Sequence, residues 1–174
     1  NVDLARFDES TDGRIMSVAD GHQPGPAGSR TIDLMDKFVL PGLIDSHVHL
    51  TSDAGGLAGQ LESVTLSPAA QAFNAQANGM KTLRAGFTTV RNLGDGDGAV
   101  LALRDAVAAG RTMGPRILDA GNSLSGTSGH SDDAPGFRSE LRPFFAGSGN
   151  VCDGADDCRR AVRHQIGRGA DVIK

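Results

Sequence analysis

The chain has 174 residues and a net charge of −4, from 17 basic and 21 acidic side chains. This balance leaves no basic surface of the kind that binds nucleic acid, and the absence of Trp and Tyr, with only seven Phe, leaves few rings on which bases could stack. Since no apolar run approaches the roughly 20 residues of a membrane span, we expect neither a nucleic-acid nor a membrane partner.

The first 40 residues are predicted to form short strands and turns. Residues 14–18 and 31–34 alternate between polar and apolar side chains with the period of two that is typical of strands. Residues 22–29, which lie between them, contain two prolines and two glycines and are therefore predicted to be a loop.

Residues 43–50 carry the most informative pattern in the chain. Successive side chains of a strand point to opposite faces, so this segment would have one apolar face and one polar face. The two faces consist of Ile44, Val48 and Leu50 on one side and Asp45, His47 and His49 on the other. Two histidines in this spacing more often lie in solvent or in a hydrogen-bonded network. Here the apolar opposite face, and a glycine-rich loop predicted over residues 51–59, favour a strand that ends in two metal ligands.

Helices and strands then alternate along the chain. Ser67 and Pro68 form a typical helix start, and Gly86, Gly110 and Gly169 are typical helix stops. Helices are predicted over residues 68–85, 97–109 and 156–168, and further strands over 87–92, 116–120 and 171–174. Such alternation predicts an α/β fold with a parallel sheet and right-handed crossovers.

Four segments carry a resemblance to a known family. Residues 39–50 (VLPGLIDSHVHL) resemble the first barrel strand of the metal-dependent amidohydrolase superfamily. Residues 85–94 (AGFTTVRNLG), 124–130 (LSGTSGH) and 169–174 (GADVIK) are similar to its prolidase-like or imidazolonepropionase-like dipeptidase branch, whose members cleave Xaa-Pro, Xaa-Arg or Xaa-Lys peptides. The resemblance extends from about residue 13 to the last residue.

The resemblance implies a (β/α)8 TIM barrel with a small added β-sandwich. Residues 1–40 would belong to the sandwich, and residues 41–174 would form the first part of the barrel with its strands 1 to 4. Because a complete barrel needs about 250 residues, we expect the chain to be the N-terminal part of a longer protein. An unclosed barrel exposes sheet edges, so the segment alone should be poorly folded and inactive.

The resemblance also implies a set of site residues. His47 and His49 would bind the more buried of two divalent metal ions, with zinc the expected metal. Lys174, which by itself suggests a strand-end lysine reaching water, would react with carbon dioxide and bridge both ions as a carbamate. His130, otherwise a solvated loop histidine, would contact the substrate carbonyl, although Ser128 replaces the first Gly of the family's Gly-Gly-His motif. Two further histidines and an aspartate would lie beyond residue 174.

The expected activity is hydrolysis of the amide bond of a dipeptide by a hydroxide that bridges the two metals. The substrate would be a small peptide or amide, and we expect the protein to form a homo-oligomer. Two alternatives stay open: hydrolysis of a cyclic amide or an N-acyl amino acid on the same scaffold, and a barrel that has lost its chemistry.

Three residues near the expected site have two interpretations each. Asp45 would either orient a ligand histidine or take part in a structural ion pair. Arg91 and Asn92 would either line the pocket or serve packing and hydrogen bonding.

Cys152 and Cys158 are the only cysteines in the chain. They would form a short-loop disulfide, or they would be two reduced and unrelated thiols. A disulfide favours an exported or periplasmic protein, and its absence leaves a cytoplasmic one open.

Overall fold

The computed structural model describes residues 5–9, 14–21, 24–25, 27–95, 97–145 and 149–174. The chain divides into two compact units, Asn1–Pro41 and Gly42–Lys174. None of the helices in the described ranges is long and apolar enough to cross a membrane.

The first unit contains one pair of strands. Strand β1 (Ala5–Glu9) pairs antiparallel with β2 (Ile15–Asp20), and the register shifts between Asp8 and Glu9. Strand β2 confirms the strand predicted over residues 14–18. The strand predicted over residues 31–34 is wrong, because that segment is irregular and pairs with no strand in the described part of the unit. With one two-stranded sheet observed, the β-sandwich stays a prediction.

The second unit is built on a three-stranded parallel sheet. Its strands are β3 (Leu43–Val48), β4 (Phe87–Asn92) and β5 (Arg116–Asp119), in the order β3-β4-β5. The helices are α1 (Gly56–Thr65), α2 (Pro68–Arg84), α3 (Ala99–Ala108), α4 (Arg142–Phe145) and α5 (Ala155–Arg168). The predicted parallel sheet and the three predicted helices are therefore confirmed.

Local sequence sets the limits of these helices. At the start of α2, the Ser67 side chain accepts a hydrogen bond from the Ala70 amide, and Pro68 occupies the first helical position. At the end of α5, Gly169 adopts a left-handed conformation with φ of +96°, which a glycine takes without steric cost.

Two sequence predictions in the second unit are wrong in part or in full. The expected loop over residues 51–59 is confirmed for residues 51–55 but wrong for 56–59, because α1 begins at Gly56. The expected fourth strand over residues 171–174 is not formed, although Leu124 donates its amide to the Lys174 carbonyl at 2.9 Å. The reason lies at Asp171, whose side chain accepts the Asp119 amide at 2.9 Å and thereby takes a backbone donor that a strand pairing would use.

The core of the second unit lies between the sheet and helices α2 and α3. Six side chains form this core: Leu50, Ala75, Val90, Val100, Leu103 and Ile117. Val48 and Phe87 pack against it, so the apolar residues near the end of β3 and in β4 hold the sheet onto its helices. The end of β3 that leads to the two histidines is therefore the well-packed end.

Candidate active site

His47 and His49 lie at the carboxyl end of β3 with their rings close together. The ring centroids are 5.4 Å apart and the ring planes are tilted by 56°. This geometry fits the expectation that the two side chains share one face, as residues two apart on a strand do. The apolar face holds only in part: Leu50 is 2% exposed, but Ile44 is 71% exposed, because no element within the described ranges covers it.

The ring of His49 rests against the backbone of Gly94. A Cβ atom at residue 94 would lie 3.0 Å from Cε1 and 3.1 Å from Nδ1 of this ring, so the glycine makes the space that the imidazole occupies. Burial lowers the pKa of His49, and the nearby charges of Lys174 and His47 lower it further, while a hydrogen bond to the Gly94 backbone opposes the shift. His49 is therefore biased toward the neutral imidazole, which is the form that binds metals.

Lys174 and His130 belong to the same neighbourhood. Both contribute charges that lower the pKa of His49, so both lie near enough to this ring to act on it electrostatically. Lys174 is partly buried, and within the described ranges no hydrogen bond or ion pair engages its ammonium group. His130 is exposed at the surface of its loop.

The segment that carries Lys174 is anchored by Arg104 of α3. The guanidinium donates to the Asp171 carboxylate and to the Gly169 carbonyl, both at 2.7 Å. Burial acts to lower the pKa of Arg104, but its bonds to Asp171 and Asp105 outweigh this and raise it, so the guanidinium stays charged. Through Asp171, which also holds the Asp119 amide, the approach to Lys174 is fixed against the end of β5.

The His130 loop contains a tight turn with one unusual residue. Ser128 has a φ of +60°, the only positive φ of a non-glycine residue in the described part of the chain. Its amide donates to the Asp132 carboxylate at 2.8 Å, and the Gly129 amide donates to the Gly126 carbonyl at 2.8 Å. A Cβ at Gly129 would lie 2.8 Å from that carbonyl oxygen, so this position requires glycine. The serine therefore stands where a left-handed conformation would favour glycine.

Three residues near the site have backbone roles. Asp45 accepts the amide of His47 at 3.0 Å, and Arg91 donates to the Ser46 carbonyl at 2.7 Å. Asn92 is fully buried and accepts the Leu50 amide at 2.9 Å. Of the two interpretations given for Arg91 and Asn92, pocket lining or packing and hydrogen bonding, these contacts agree with hydrogen bonding.

A buried polar network under the site was missed by the sequence reasoning. Asn78 of α2 donates to the Leu50 carbonyl at 2.9 Å, so both backbone groups of the residue after His49 are held by asparagine side chains. Asn92 also donates to the Asp119 carboxylate at 2.7 Å. The only signal in the sequence was that Asn92 and Asp119 fall at or near the ends of two predicted strands. The ends of neighbouring parallel strands lie at the same edge of a sheet, so side chains there can meet.

The residues present fit part of a metal site. In the described ranges no three His, Cys, Asp or Glu side chains are grouped so that they could hold an ion. Two adjacent imidazoles, one of them biased toward its neutral form, are suitable nitrogen ligands for a first-row divalent ion. The Lys174 amine could join them as a ligand only after conversion to an anion such as a carbamate.

Cys152 and Cys158 are joined, with 2.16 Å between their sulfur atoms. Of the two alternatives open from the sequence, the structure therefore has the disulfide. The bridge connects the residues before α5 with the first turn of that helix, and Cys152 is 6% exposed.

Comparison with known proteins places this geometry in context. Residues 38–174 match the model of the Amidohydrolase family. Ochratoxinase from Aspergillus niger is 33% identical over 147 residues, which are 78% of this chain and 30% of the ochratoxinase. Among solved structures, a Xaa-Pro dipeptidase with methionine bound in its active site is 32% identical and superposes with a TM-score of 0.78 over 91% of this chain and 39% of that one. A putative prolidase from Bifidobacterium longum is 30% identical, with a TM-score of 0.69 over 97% of this chain and 34% of that one. The chain thus spans between 30% and 39% of the length of these three proteins.

Proposed function

Because the chain belongs to the amidohydrolase family, we propose that it is the N-terminal part of a (β/α)8-barrel hydrolase that cleaves the amide bond of a dipeptide. Residues 41–174 would form the first part of the barrel, and residues 1–40 would contribute to a β-sandwich. Similarity to a Xaa-Pro dipeptidase and to a putative prolidase supports a dipeptide substrate. Similarity to ochratoxinase favours a second candidate, hydrolysis of another small amide such as an N-acyl amino acid.

The observation that carries this proposal is the pairing of the His47 and His49 rings at the carboxyl end of β3, and the electrostatic effect of Lys174 and His130 on His49 supports it. The two histidines would hold the more buried of two divalent ions, with zinc the expected metal. Lys174, as a carbamate, would bridge the two ions. When bound, such ions lower the pKa of a water molecule and polarise the scissile carbonyl.

The role of Lys174 requires a covalent change. The ammonium would first lose one proton to water. The amine nitrogen would then attack the carbon of carbon dioxide, forming an N–C bond as one C–O π bond opens, and a second proton would pass from the nitrogen to water. The product is an anion with two oxygen atoms, which suits a position between two cations. The lack of an ion-pair partner for Lys174 in the described ranges supports this role, because an existing partner would compete with the modification.

His130 would act on the substrate. Its exposed side chain, on a loop beyond the carboxyl ends of the strands, lies where barrel enzymes place substrate-binding groups. An imidazole N–H directed at the carbonyl oxygen would stabilise the negative charge that develops there during hydrolysis.

The first test is the metal content of the intact protein. We expect about two ions per chain in the wild type and one or fewer in Lys174→Ala. Protein exposed to ¹³C-labelled carbon dioxide should show a carbamate carbon resonance that Lys174→Ala lacks. The matched control is His164→Ala, which removes an exposed histidine on α5 and should change neither result. Equal metal content in wild type and Lys174→Ala, or no carbamate resonance, would refute the bridging role.

The second test concerns the substrate class. Values of kcat/KM for Xaa-Pro, Xaa-Arg and N-acyl amino acid substrates should be compared with the same metal-loaded enzyme. A preference for dipeptides of at least ten-fold would support the first candidate, and the reverse preference would support the second. No turnover of any amide by fully loaded enzyme would favour a barrel that has lost its chemistry.

A further inference from the structure

The loop that carries His130 is joined to the segment before α5 by backbone hydrogen bonds. Ser125 forms an isolated parallel bridge with Val151: its amide donates to the Asn150 carbonyl and its carbonyl accepts the Cys152 amide, both at 2.9 Å. The disulfide to Cys158 lies directly beside this bridge. One side of the pairing is therefore covalently attached to helix α5.

Asp153 makes the second connection between the two segments. Its carboxylate accepts the Thr127 amide at 2.9 Å and also accepts the Thr127 hydroxyl. These two bonds lower the pKa of Asp153, which keeps the carboxylate ionised as an acceptor. The Asp153 amide in turn donates to Asp157 of α5 at 3.0 Å, so Asp153 links the loop to the helix.

The turn between Thr127 and His130 is held by hydrogen bonds within the loop, so the two residues are expected to move together. The Gly129 amide bonds to the Gly126 carbonyl, and the Asp132 amide bonds to the Gly129 carbonyl at 3.1 Å. The Ser131 amide donates to the Ser125 hydroxyl at 3.1 Å. Hydrogen bonds therefore hold the turn on both sides of His130, and a shift of Thr127 would move the histidine with it.

We infer that Asp153 is a positioning residue for His130, and that the Cys152–Cys158 disulfide keeps Asp153 in place. The inference rests on the proposed role of His130 in substrate binding. It has a redox consequence: a dithiol such as dithiothreitol would break the S–S bond by supplying two electrons and two protons. Both cysteines would become thiols and the dithiol would become a cyclic disulfide. Freed from α5 on one side, the His130 loop would lose its fixed position.

The claim that Asp153 holds the His130 loop in place is tested by hydrogen exchange in the intact protein. Peptides that cover residues 125–132 should exchange about ten-fold faster in Asp153→Ala than in the wild type, and faster again after dithiothreitol. The control is Asp156→Asn on the same helix, whose exposed side chain pairs only with Arg159 in the described ranges and should leave the loop unchanged. A variant with both cysteines replaced by serine should no longer respond to dithiothreitol. Unchanged exchange in Asp153→Ala would overturn the inference whatever the enzyme does.

The functional half is tested by a double-mutant cycle on kcat/KM, with metal content measured in each variant. Asp153→Ala should lower kcat/KM about ten-fold at unchanged metal content, and it should have no further effect when His130 is already Ala. Additive losses would mean that Asp153 acts through the general stability of the loop, which overturns the positioning role. Full activity of His130→Ala would instead reject the proposed function of His130, a failure that the exchange data distinguish from failure of the Asp153 contact.

Discussion

The carboxylate of Asp119 accepts a hydrogen bond from the Asn92 amide at 2.7 Å, and neither residue is exposed to solvent. The two residues are register partners at the ends of β5 and β4. Asn92 also accepts the amide of Leu50, which directly follows His49. Side-chain hydrogen bonds therefore connect the carboxyl ends of β3, β4 and β5 next to this histidine. Inside a protein such bonds are strong when complete and costly when one partner is missing.

This pair predicts an unusual dependence of stability on pH. Burial raises the pKa of Asp119 to about 6, and the charge of Asp95 adds to the shift, although the Asn92 hydrogen bond opposes it. An acid with a raised pKa binds its proton more tightly in the folded than in the unfolded state. The cost of folding the charged form is therefore fully present above pH 6, and it disappears as the pH falls toward the unfolded value of about 4.

The measurement is the free energy of unfolding of the wild type and of Asp119→Asn between pH 4 and pH 8. The Asn variant places a second donor against the Gly121 amide, which should lower its stability by an amount that does not vary with pH. Relative to this variant, the wild type should gain up to roughly 3 kcal/mol between pH 7 and pH 4. Parallel curves would show that Asp119 does not titrate in this range.

The contact between Gly94 and His49 predicts that Gly94→Ala weakens metal binding. The added methyl carbon would lie 3.0 Å from the imidazole and 3.2 Å from the Ser123 hydroxyl, so the ring must shift. We expect metal affinity to fall about ten-fold, as is common when a residue that orients a ligand is changed. Competition with a chelator of known affinity measures this directly. Gly167→Ala on α5, where an added Cβ meets nothing within 4 Å, is the control and should leave metal affinity unchanged.

The ion pair between Arg104 and Asp171 predicts that removing Arg104 lowers both the stability of the fold and the metal occupancy of the site. Its side chains are 17% and 33% exposed, so Arg104→Ala would leave a partly buried carboxylate without its main partner. We expect a loss of about 1–3 kcal/mol in the free energy of unfolding, together with reduced metal occupancy because the approach to Lys174 is released. Arg159→Ala removes an exposed pair and should cost less than about 0.5 kcal/mol. Equal effects of the two variants would contradict the anchoring role.

Most of the second unit was predictable because its helices have clear ends. The prediction for β4 matches Phe87–Asn92, and α5 begins one residue before its expected start. Helix α1 was missed because three glycines near its start favour a loop; Leu57, Leu61 and Val64 keep helical spacing, although none of the helix is buried. The expected strand at 171–174 failed because the Asp171 side chain takes a backbone donor of Asp119, a contact that no sequence pattern encodes.

The sequence predicts the pairing of the two histidines at the candidate site, but it does not predict the hydrogen bonds that hold the segments around them. The period of two along a strand is enough to bring His47 and His49 together. The bond between Asn92 and Asp119 depends on the register of two strands that are 24 residues apart in the chain, and a single sequence does not fix that register. The same holds for Asp153 and Thr127, which come from segments that meet only in the fold.

Ser128 gives a prediction about the His130 loop itself. A non-glycine residue in the left-handed region costs about 1–2 kcal/mol, and glycine avoids this cost but loses about 0.5–1 kcal/mol more in chain entropy. Ser128→Gly should therefore raise the free energy of local opening by up to about 1 kcal/mol, measured by hydrogen exchange at the Ser131 amide. Ser128→Ala keeps the left-handed cost and should give no such gain. Equal protection in the two variants would contradict the assigned cost of the left-handed conformation, because both keep the bond from the residue 128 amide to Asp132 and differ only in that cost.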